Sequence, residues 1–398
     1  MRTYVSEYQL GQPDALLWGL EGYQAALVLA RHGRQPRALV SLRLTPRQTT
    51  LSGREIERAA QGQLIDIASA ADDQRSPPIS VVVCTRDRAR ALERCLAALA
   101  RLEYPAFEVI VVDNASRDDA TARVVAASPF RYVREPQPGL DWARNRGAAD
   151  ARYELIAYTD DDAVVDPGWL RGIAAAFADP QVMAVTGLVL PLELETPAQH
   201  LFERYGGMGK GLEPRLLQRD TLGAAGCIAA HAAGVGANMA FRRRVFATVG
   251  GFDTALDVGT PASGGGDLDM FHRVLAGGLT LRYEPSALIW HQHRRALADL
   301  RQQLYANGRS YGVYLLKTWR TGSVERRTVL HFGLRWLLGW VVARVVRALL
   351  RRERFPLGLC WAELRGALDA PAAYRATYQH DRRVRRRRPA YEAERISA

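Results

Sequence analysis

Cysteine is scarce in this chain and forms none of the patterns that carry metal or redox chemistry. The 398 residues contain 4 cysteines, and no two of them make a Cys-x-x-Cys pair. Disulfide-stabilised domains and zinc sites are both built from characteristically spaced cysteines. The sequence therefore favours neither a disulfide framework nor a zinc site.

Two nucleotide-binding signatures are also missing. Neither Gly-x-Gly-x-x-Gly nor Gly-x-x-x-x-Gly-Lys occurs in the chain. These glycine-rich loops let the backbone approach the phosphates of dinucleotides and nucleoside triphosphates. Their absence removes most of the support for dinucleotide-dependent oxidoreductases and for P-loop NTPases.

Targeting and membrane-spanning segments are not evident either. The first 25 residues lack a basic stretch followed by an apolar run, so we expect no secretory signal. Residues 328–350 are apolar, but Arg335, Arg344 and Arg347 interrupt them. Because each arginine near the bilayer centre costs about 2.5–3.5 kcal/mol, we do not expect a single membrane span here.

Lysine is nearly absent, and the positive charge is concentrated at one end. Of 54 basic residues only Lys210 and Lys317 are lysines, and 42 acidic residues leave a net charge of +12. Residues 320–398 contain 18 arginines and 7 acidic residues, so they carry almost all of this excess. The rest of the chain is close to neutral. A uniformly basic nucleic-acid-binding protein does not fit this distribution, and we expect no nucleic-acid partner.

The composition, with 48% hydrophobic and 24% charged residues, predicts a globular protein, which we divide into three units. Residues 1–75 are predicted to form a small α+β unit. Two alternating apolar runs, Ala25–Ala30 and Ala38–Leu44, suggest a hairpin, and a helix is expected near Arg54–Ala70. A polar linker over residues 72–78 follows. We see no chemistry in this unit and assign it to packing or partner docking.

Residues 79–320 alternate between buried strands and amphipathic helices. This alternation predicts an α/β fold with a mostly parallel sheet flanked by helices. The predicted strands are Ile79–Cys84, Val109–Val112, Arg131–Val133, Leu155–Tyr158 and Ala287–Ile289, and the predicted helices include Arg90–Leu102, Asp118–Ala127 and Trp169–Ala178. In such sheets ligands bind beyond the carboxyl ends of the strands, so the residues that follow each strand are the candidates for a site.

Carboxylates follow three of these strands. They are Asp87, Asp113 and the run Asp160-Asp161-Asp162. Three adjacent carboxylates would repel one another in a cleft of low dielectric, and a divalent cation such as Mn²⁺ or Mg²⁺ would relieve that repulsion. The alternative is a solvated acidic turn before the helix at Trp169. The position directly after a buried strand favours the metal site.

Further polar groups are expected near the same edge. Asp113 and Asn114 could hydrogen-bond a nucleobase or ribose, although an Asx turn would also explain them. Arg144 could face a diphosphate, or it could form a surface salt bridge. We assign Asn238, in the glycine-rich segment Gly234–Phe241, to the same nucleotide-sugar site.

A triple glycine, Gly264 to Gly266, precedes a helix that begins near Asp267. A carboxylate there can cap the helix, or it can act as the general base that removes a proton from an acceptor hydroxyl. We expect Asp269 to be structural and to pair with Arg273 four residues later.

Taken together, these segments resemble glycosyltransferase family 2, which has the GT-A fold, over about residues 79–320. Thr85-Arg86-Asp87-Arg88 resembles the family's Thr-x-Asn-Arg loop, with Asp87 in place of the common Asn. Asp113 takes the position of its nucleobase-binding aspartate, and Asp160-Asp161-Asp162 that of its Asp-x-Asp metal motif. Gly266-Asp267-Leu268-Asp269 resembles its Glu-Asp-x-Asp segment, but Gly266 replaces the glutamate, so acceptor recognition is expected to differ.

The resemblance implies a fold, a reaction and a set of site residues. It implies inverting transfer from a nucleoside-diphosphate-sugar, with UDP the commonest nucleotide, to a glycan or lipid-linked acceptor in envelope or polysaccharide synthesis. Asp267 is then the catalytic base. The implied metal ligands for Mn²⁺ or Mg²⁺ are Asp160, Asp162 and His291, the last because similar enzymes place a histidine after this strand. The implied donor-binding residues are Thr85, Asp87, Arg88, Asp113, Asn114, Arg144, Asp160, Asp161 and Asn238.

Two other functions remain open at this stage. A nucleotidyltransferase would need a glycine-rich loop with a lysine near the first strand, and only Thr85-Arg86-Asp87-Arg88 stands there. A non-catalytic binding module with the same fold is supported only by the loss of the glutamate at Gly266. The carboxylates at all the other motif positions speak against it.

Residues 324–398 form a predicted basic helical extension. In a helical projection of Leu337–Arg351, Arg344, Arg347 and Arg351 fall on one side and apolar residues mostly on the other. Basic helices with an apolar face lie on anionic membrane surfaces, and the arginine-rich run at residues 382–388 would add attraction. We therefore expect a cytoplasmic protein on the inner face of the cytoplasmic membrane. The alternative is packing against the catalytic unit, and the oligomeric state is left open.

Overall fold

The computed structural model describes residues 2–65, 76–350, 352 and 355–386. Its first unit is a three-stranded sheet with a two-stranded ribbon and a helix beside it. The elements are β1 Thr3–Gln9, β2 Leu16–Trp18, β3 Ala25–His32, β4 Gln35–Arg43, β5 Thr50–Ser52 and α1 Gly53–Ala60. Strand β3 pairs parallel with β1 and antiparallel with β4, which confirms the predicted hairpin.

The helix of this unit is shorter than predicted. A capping box between Ser52 and Glu55 starts α1, and the helix ends at Ala60 instead of continuing toward Ala70. Gly62 lies in the turn two residues later, and glycine disfavours a helix by about 1 kcal/mol relative to alanine. Residues 66–75, which include most of the predicted linker, lie outside the described residues.

The first unit is packed against the larger sheet. Leu29 of β3 is buried with Leu188 and Leu288 in one apolar cluster. Beside this cluster, Nη1 of Arg31 is 2.6 Å from Oδ2 of Asp166, and both side chains are about 5% exposed. An apolar contact and a buried ion pair therefore join the unit to the rest of the chain.

The central sheet lies in the order β10-β14-β11-β13-β9-β6-β7-β8, with β12 paired to β14. Its strands are β6 Ile79–Thr85, β7 Phe107–Asn114, β8 Arg131–Glu135, β9 Leu155–Asp160, β10 Ala163–Val165, β11 Val182–Pro191, β12 Arg215–Leu217, β13 Asn238–Arg242 and β14 Thr280–His291. The helices of this region are α2 Ala89–Leu99, α3 Ala120–Ala126, α4 Leu140–Asp150, α5 Trp169–Ala176, α6 Pro197–Tyr205, α7 Arg219–Ile228, α8 Arg244–Val249, α9 Gly266–Ala276 and α10 Leu297–Thr321, with 3₁₀ turns at Ala230–Ala232 and Thr254–Leu256.

Helices cover both faces of this sheet, as the predicted α/β fold requires. Helices α2 and α5 bury apolar residues on one face, and α4, α7 and α9 do so on the other. Strands β8, β7, β6 and β9 are parallel, so the residues after β6, β7 and β9 meet at one edge. The sheet departs from a purely parallel arrangement at β13, which lies antiparallel between β9 and β11.

The C-terminal region is helical, as predicted. Its elements are α11 Arg326–Leu334, a π-helical segment Arg335–Val342, α12 Ala343–Leu349 and α13 Leu357–Arg386. Helix α13 packs closely along α10. The contact contains Gly308 and Gly312 of α10 and Gly366 of α13, and a Cβ atom at any of these positions would overlap the facing helix. The described part of the extension is thus anchored to α10, while residues 387–398 lie outside the described residues.

The run from α11 through α12, residues Arg326–Leu349, is a continuous helical segment of 24 residues. By length and composition it is long and apolar enough to cross a membrane, and 22% of its most apolar 18-residue window is buried. One residue of its predicted basic face is placed differently. Arg344 is 4% exposed and lies over the rings of Tyr205, Trp340 and Phe355, so it packs inside the protein instead of facing a membrane.

Candidate active site

Three potential metal ligands converge at the edge where β9 and β14 end. Asp160 ends β9, Asp162 lies two residues farther on, and His291 ends β14. Because β10 pairs with β14 and places Ala163 opposite His291, the loop carries Asp162 to the imidazole. One ligand atom from each residue lies within 4.8 Å of the other two.

The donor atoms of this group fit a divalent cation. Two carboxylates and one imidazole are ligands that Mn²⁺ accepts, and Mg²⁺ takes the oxygen atoms. Oδ1 of Asp162 is buried and accepts no hydrogen bond from any described residue, while Nε2 of His291 is 3.1 Å away from it. Such an oxygen, costly to bury alone, is what a metal ligand looks like before the ion binds.

Charges around this group shift the pKa values of the carboxylates in different directions. Burial and the negative charge of Asp162 raise the pKa of Asp160. Burial alone would raise the pKa of Asp162 as well, but the adjacent imidazole of His291 and the charge of Arg88 hold it below its usual range. Burial raises the pKa of Asp161 to about 7 against the opposing charge of Arg88.

Arg88 connects the first strand end to the acidic run. Its Nη1 is 2.6 Å from Oδ1 of Asp161, and its Nη2 is 2.7 Å from Oδ2 of Asp162. The hydroxyl of Thr85 donates to the other oxygen of Asp161 at 2.7 Å. The predicted Thr-x-x-Arg loop and the predicted acidic run are therefore one hydrogen-bonded unit.

A second histidine, which the sequence did not single out, supports the first. Nδ1 of His291 is 3.3 Å from Nδ1 of His293, and Nε2 of His293 is 2.7 Å from a carboxylate oxygen of Glu203 in α6. Hydrogen bonds of this kind fix the ring orientation of a metal-binding histidine. The signal in the sequence was the His-x-His spacing, which puts both rings on one side of an extended segment.

The predicted nucleobase pocket has a different internal organisation from the metal group. Asp113 is fully buried, and its carboxylate accepts hydrogen bonds from Tyr132, Arg134 and the backbone N–H of Ser116. Asn114 borders the smaller cavity and holds the backbone N–H of Gly139 with its carbonyl oxygen at 2.7 Å. These contacts shape the loops after β7 and β8.

Asp87 has φ of 55° and accepts two hydrogen bonds from Arg117, one through the backbone and one through the guanidinium group. Its own N–H donates to Ser116. Asp87 thus ties the loop after β6 to the loop after β7. Its carboxylate, like that of Asp113, is engaged with the protein.

Asp267 lies at the start of α9 and is half-buried. Its Oδ2 accepts a hydrogen bond from the backbone N–H of Gly236 at 2.8 Å, and its Oδ1 accepts one from Leu268 at 2.9 Å. The carboxylate borders the same cavity as Asp160 and Arg144. The position combines a fixed orientation with access to a bound molecule.

Arg144 is buried among three carboxylates instead of lying on the surface. Its Nη1 is 3.0 Å from Oδ1 of Asp141. Burial alone would lower the pKa of Arg144, but the charges of Asp141, Asp160 and Asp267 raise it above its usual value. The surface salt bridge considered from the sequence is thus replaced by a buried cation between the metal group and Asp267.

Two adjoining cavities meet at Asp160. The smaller, about 400 Å³, lies over the ends of β6, β7 and β9, and the larger, about 850 Å³, extends from Asp267 to the C-terminal helices. Asp160, Phe202, Met208 and Gln303 border both. One molecule in each cavity would meet beside the predicted metal ligands and the predicted base.

The structure does not bring Asn238 to either cavity. Its amide nitrogen donates to the carbonyl oxygens of Leu188 and Ala287, and its carbonyl oxygen accepts from the indole of Trp169. The side chain is 1% exposed and holds β13 between its neighbours.

The expected structural role of Asp269 is confirmed, since it pairs with Arg273 at 2.7 Å and with Lys317 at 2.6 Å.

Comparison with known proteins matches part of the chain to one family. The family model that matches residues 80–250 is described as Glycosyl transferase family 2. A pre-mycofactocin glycosyltransferase from Mycobacterium tuberculosis is 28% identical over 283 residues, which are 67% of this chain and 56% of that protein. A glucosyl-dolichyl phosphate glucuronosyltransferase from Haloferax volcanii is 24% identical over 192 residues, covering 44% of this chain and 56% of that protein. The chain thus spans little more than half the length of these relatives.

A solved structure supports the fold. A mannosyltransferase from Pyrobaculum calidifontis, in complex with GDP-Man and Mn²⁺, superposes with a TM-score of 0.51 at 17% sequence identity. The match covers 75% of this chain and 88% of that protein. At this identity the likeness concerns the arrangement of strands and helices.

Proposed function

The chain belongs to glycosyltransferase family 2 and has the GT-A fold, and from that premise we propose the reaction that its site carries out. The protein transfers a sugar from a nucleoside-diphosphate-sugar, with UDP as the first candidate nucleotide, to a hydroxyl group of a glycan or lipid-linked acceptor. Transfer is metal-dependent and inverts the anomeric centre. The observation that carries the proposal is the meeting of two cavities at Asp160, with Asp267 bordering one and His291 the other.

The donor would occupy the smaller cavity. Thr85, Arg88 and Asp161 form one side of it, and Asn114 borders it near the predicted nucleobase position. Asp160, Asp162 and His291 would hold Mn²⁺ or Mg²⁺, which when bound neutralises charge on the diphosphate. Arg144 adds a fixed positive charge beside Asp160, where negative charge develops as the nucleoside diphosphate departs.

Asp267 would act on the acceptor. Its two backbone hydrogen bonds fix the carboxylate, and its position in the larger cavity gives an acceptor hydroxyl access to it. It removes the proton of that hydroxyl as the oxygen attacks the anomeric carbon from the face opposite the leaving group. A single displacement of this kind needs no covalent glycosyl-enzyme.

Screening of the donor tests the first half of this proposal. We expect one sugar nucleotide among UDP-, dTDP- and GDP-sugars to raise the melting temperature in the presence of Mn²⁺, because a ligand stabilises the state that binds it. Release of free nucleoside diphosphate should require the metal and an acceptor. No stabilisation by any donor, with or without Mn²⁺, would contradict the proposal.

Asp267→Asn tests the second half. Asparagine keeps one oxygen, which can accept one of the two backbone hydrogen bonds and so hold most of the start of α9, but it cannot accept the proton. We expect turnover to fall by about 10²–10⁴-fold while stabilisation by the donor survives. Near-normal turnover in this variant would refute the assignment of the base.

The setting of the reaction is proposed from the C-terminal region. The exposed apolar helical run Arg326–Leu349 and the arginine-rich end of the chain would hold the protein at the inner face of the cytoplasmic membrane. An enzyme placed there would reach acceptors used in cell-envelope or polysaccharide synthesis.

A further inference from the structure

The larger cavity extends well beyond the groups that the proposed transfer uses. Its far wall is one side of the helical run Arg326–Leu349, formed by Thr328, His331, Phe332, Arg335, Trp336 and Trp340. These residues are related by intervals of three or four positions, so they lie on one face of the run. The C-terminal helices therefore complete a cavity that begins at Asp267.

The part of the cavity next to this wall is aromatic. Phe332, Trp336 and Trp340 line it together with Tyr205 of α6. The ring of Trp336 lies 4.9 Å from that of Tyr311, and Nε1 of Trp340 donates to Glu363 at 3.1 Å. Rings held in this way form a fixed apolar surface, which fits an aliphatic chain.

Two cations line the same cavity without a partner. Lys210 and Arg335 border it, and neither side chain forms a hydrogen bond or ion pair with any residue that the structure describes. Burial and the charge of Arg215 lower the pKa of Lys210, while the nearby carboxylate of Asp267 opposes that effect. Lys210 is half-buried and Arg335 is exposed at the edge of the cavity, so an anion bound there would compensate the burial cost of Lys210 and pair with Arg335.

The opposite face of the same helical run is apolar and exposed. Leu330, Leu334 and Leu338 are 59%, 48% and 58% exposed and follow one another at four-residue spacing. One helical segment thus carries a cavity wall on one side and an unpartnered apolar stripe on the other. A bilayer against the stripe would place its lipids next to the aromatic end of the cavity.

From these observations we propose that the acceptor is an amphipathic, membrane-borne molecule with a phosphate linker. Its hydroxyl-bearing group lies at Asp267, its phosphate pairs with Lys210 and Arg335, and its apolar chain lies against Phe332, Trp336 and Trp340. The inference rests on the proposed function and narrows its acceptor to one chemical class.

The test uses the full chain and three simple probes. Decyl phosphate below its micelle-forming concentration is titrated calorimetrically, and decanol and inorganic phosphate are titrated as its two halves. We expect decyl phosphate to bind at least tenfold more tightly than either half, because only it uses both the cations and the rings. Lys210→Ala and Arg335→Ala should each weaken its binding about tenfold, and Lys210→Arg should retain most of it.

Arg327→Ala is the matched control, since Arg327 is an exposed arginine on the same helix outside the cavity. This variant should bind decyl phosphate as tightly as the unmodified protein does. Equal binding of decyl phosphate by the Lys210→Ala/Arg335→Ala double variant would overturn the inference. So would binding of decyl phosphate no tighter than that of inorganic phosphate. A failure of the proposed function appears separately, as a lack of stabilisation by every sugar nucleotide with Mn²⁺. Donor stabilisation without discrimination among the three probes refutes only the acceptor class.

Discussion

The carboxylate of Asp141 occupies the space that a side chain at position 266 would need. A Cβ atom built on Gly266 would overlap Oδ2 of Asp141. This oxygen is buried and has no hydrogen-bond partner among the described residues, while Oδ1 pairs with Arg144. Because Gly266 begins α9 and precedes Asp267, the glycine that departs from the family's motif is what lets the Asp141–Arg144 pair lie beside the proposed base.

Gly266→Ala should therefore impair catalysis more than the addition of a single methyl group suggests. The backbone at this position is not in the left-handed region, so the overlap with Asp141 alone opposes the new methyl group. Overpacking of this kind costs about 1–3 kcal/mol, and a shift of a catalytic group by about 1 Å costs about 10²-fold in rate. We expect kcat to fall about 10²-fold. Urea unfolding of the same variant should measure the loss of stability. Gly358→Ala, at a helical glycine with open space beside it, is the control, and unchanged kcat in Gly266→Ala would contradict the argument.

The proposed metal site predicts which of two histidine variants loses more Mn²⁺ affinity. His291→Ala removes a proposed ligand and should weaken Mn²⁺ binding, measured by electron paramagnetic resonance, by more than His293→Gln does. His293 contacts Nδ1 of His291, the ring nitrogen that faces away from Asp162, and losing such a support costs about 10–100-fold in affinity. His32, an exposed residue of the first unit, supplies the control His32→Ala. Equal Mn²⁺ affinity in all three variants would refute the assignment of His291.

The sequence predicted the parts of the site that depend on short-range signals. Buried β-branched runs located the strand ends, and those ends brought Thr85, Arg88, Asp160 and Asp162 together as expected. Asn238 failed to reach the cavities because its amide bonds two strand carbonyls and the indole of Trp169 in α5, which no local pattern reveals.

The other wall of the site could not be predicted in this way. Trp336 and Trp340 reach the larger cavity only because the C-terminal helices fold back over α10. For the same reason the helical projection misplaced Arg344: it identifies a face of a helix, but not which face another element covers. Lys210, on a loop after α6, carried no periodic signal at all.

The ion pair between Arg31 and Asp166 should control how the first unit is attached. Removing Arg31 leaves the buried carboxylate of Asp166 without a counter-charge and with the backbone N–H of Gly168 as its remaining hydrogen-bond donor, so Arg31→Ala should lower the free energy of unfolding by about 3–5 kcal/mol. Arg31→Met combined with Asp166→Leu should be close to neutral, because apolar residues replace both charges. Arg54→Ala breaks an exposed pair with Asp14 and should cost at most about 1 kcal/mol. Urea denaturation of the unmodified protein and the three variants measures these free energies of unfolding. If Arg31→Ala loses no more free energy of unfolding than Arg54→Ala does, the buried pair contributes nothing.

The exposed leucines of the helical run should determine membrane binding. Deleting residues 324–398 is a poor test, because it would remove α13 and expose the glycine-lined face of α10. Replacing Leu330, Leu334 and Leu338 together by glutamate leaves α13 and the cavity wall in place and removes the apolar stripe. We expect flotation with vesicles of phosphatidylcholine and phosphatidylglycerol to fall at least tenfold, since each buried leucine contributes about 1.5–3 kcal/mol. Trp18→Glu, at an exposed tryptophan of the first unit, should float as the unmodified protein does. If the triple variant floats equally well, the stripe does not face a membrane, and the arginine-rich end of the chain must account for any binding that remains.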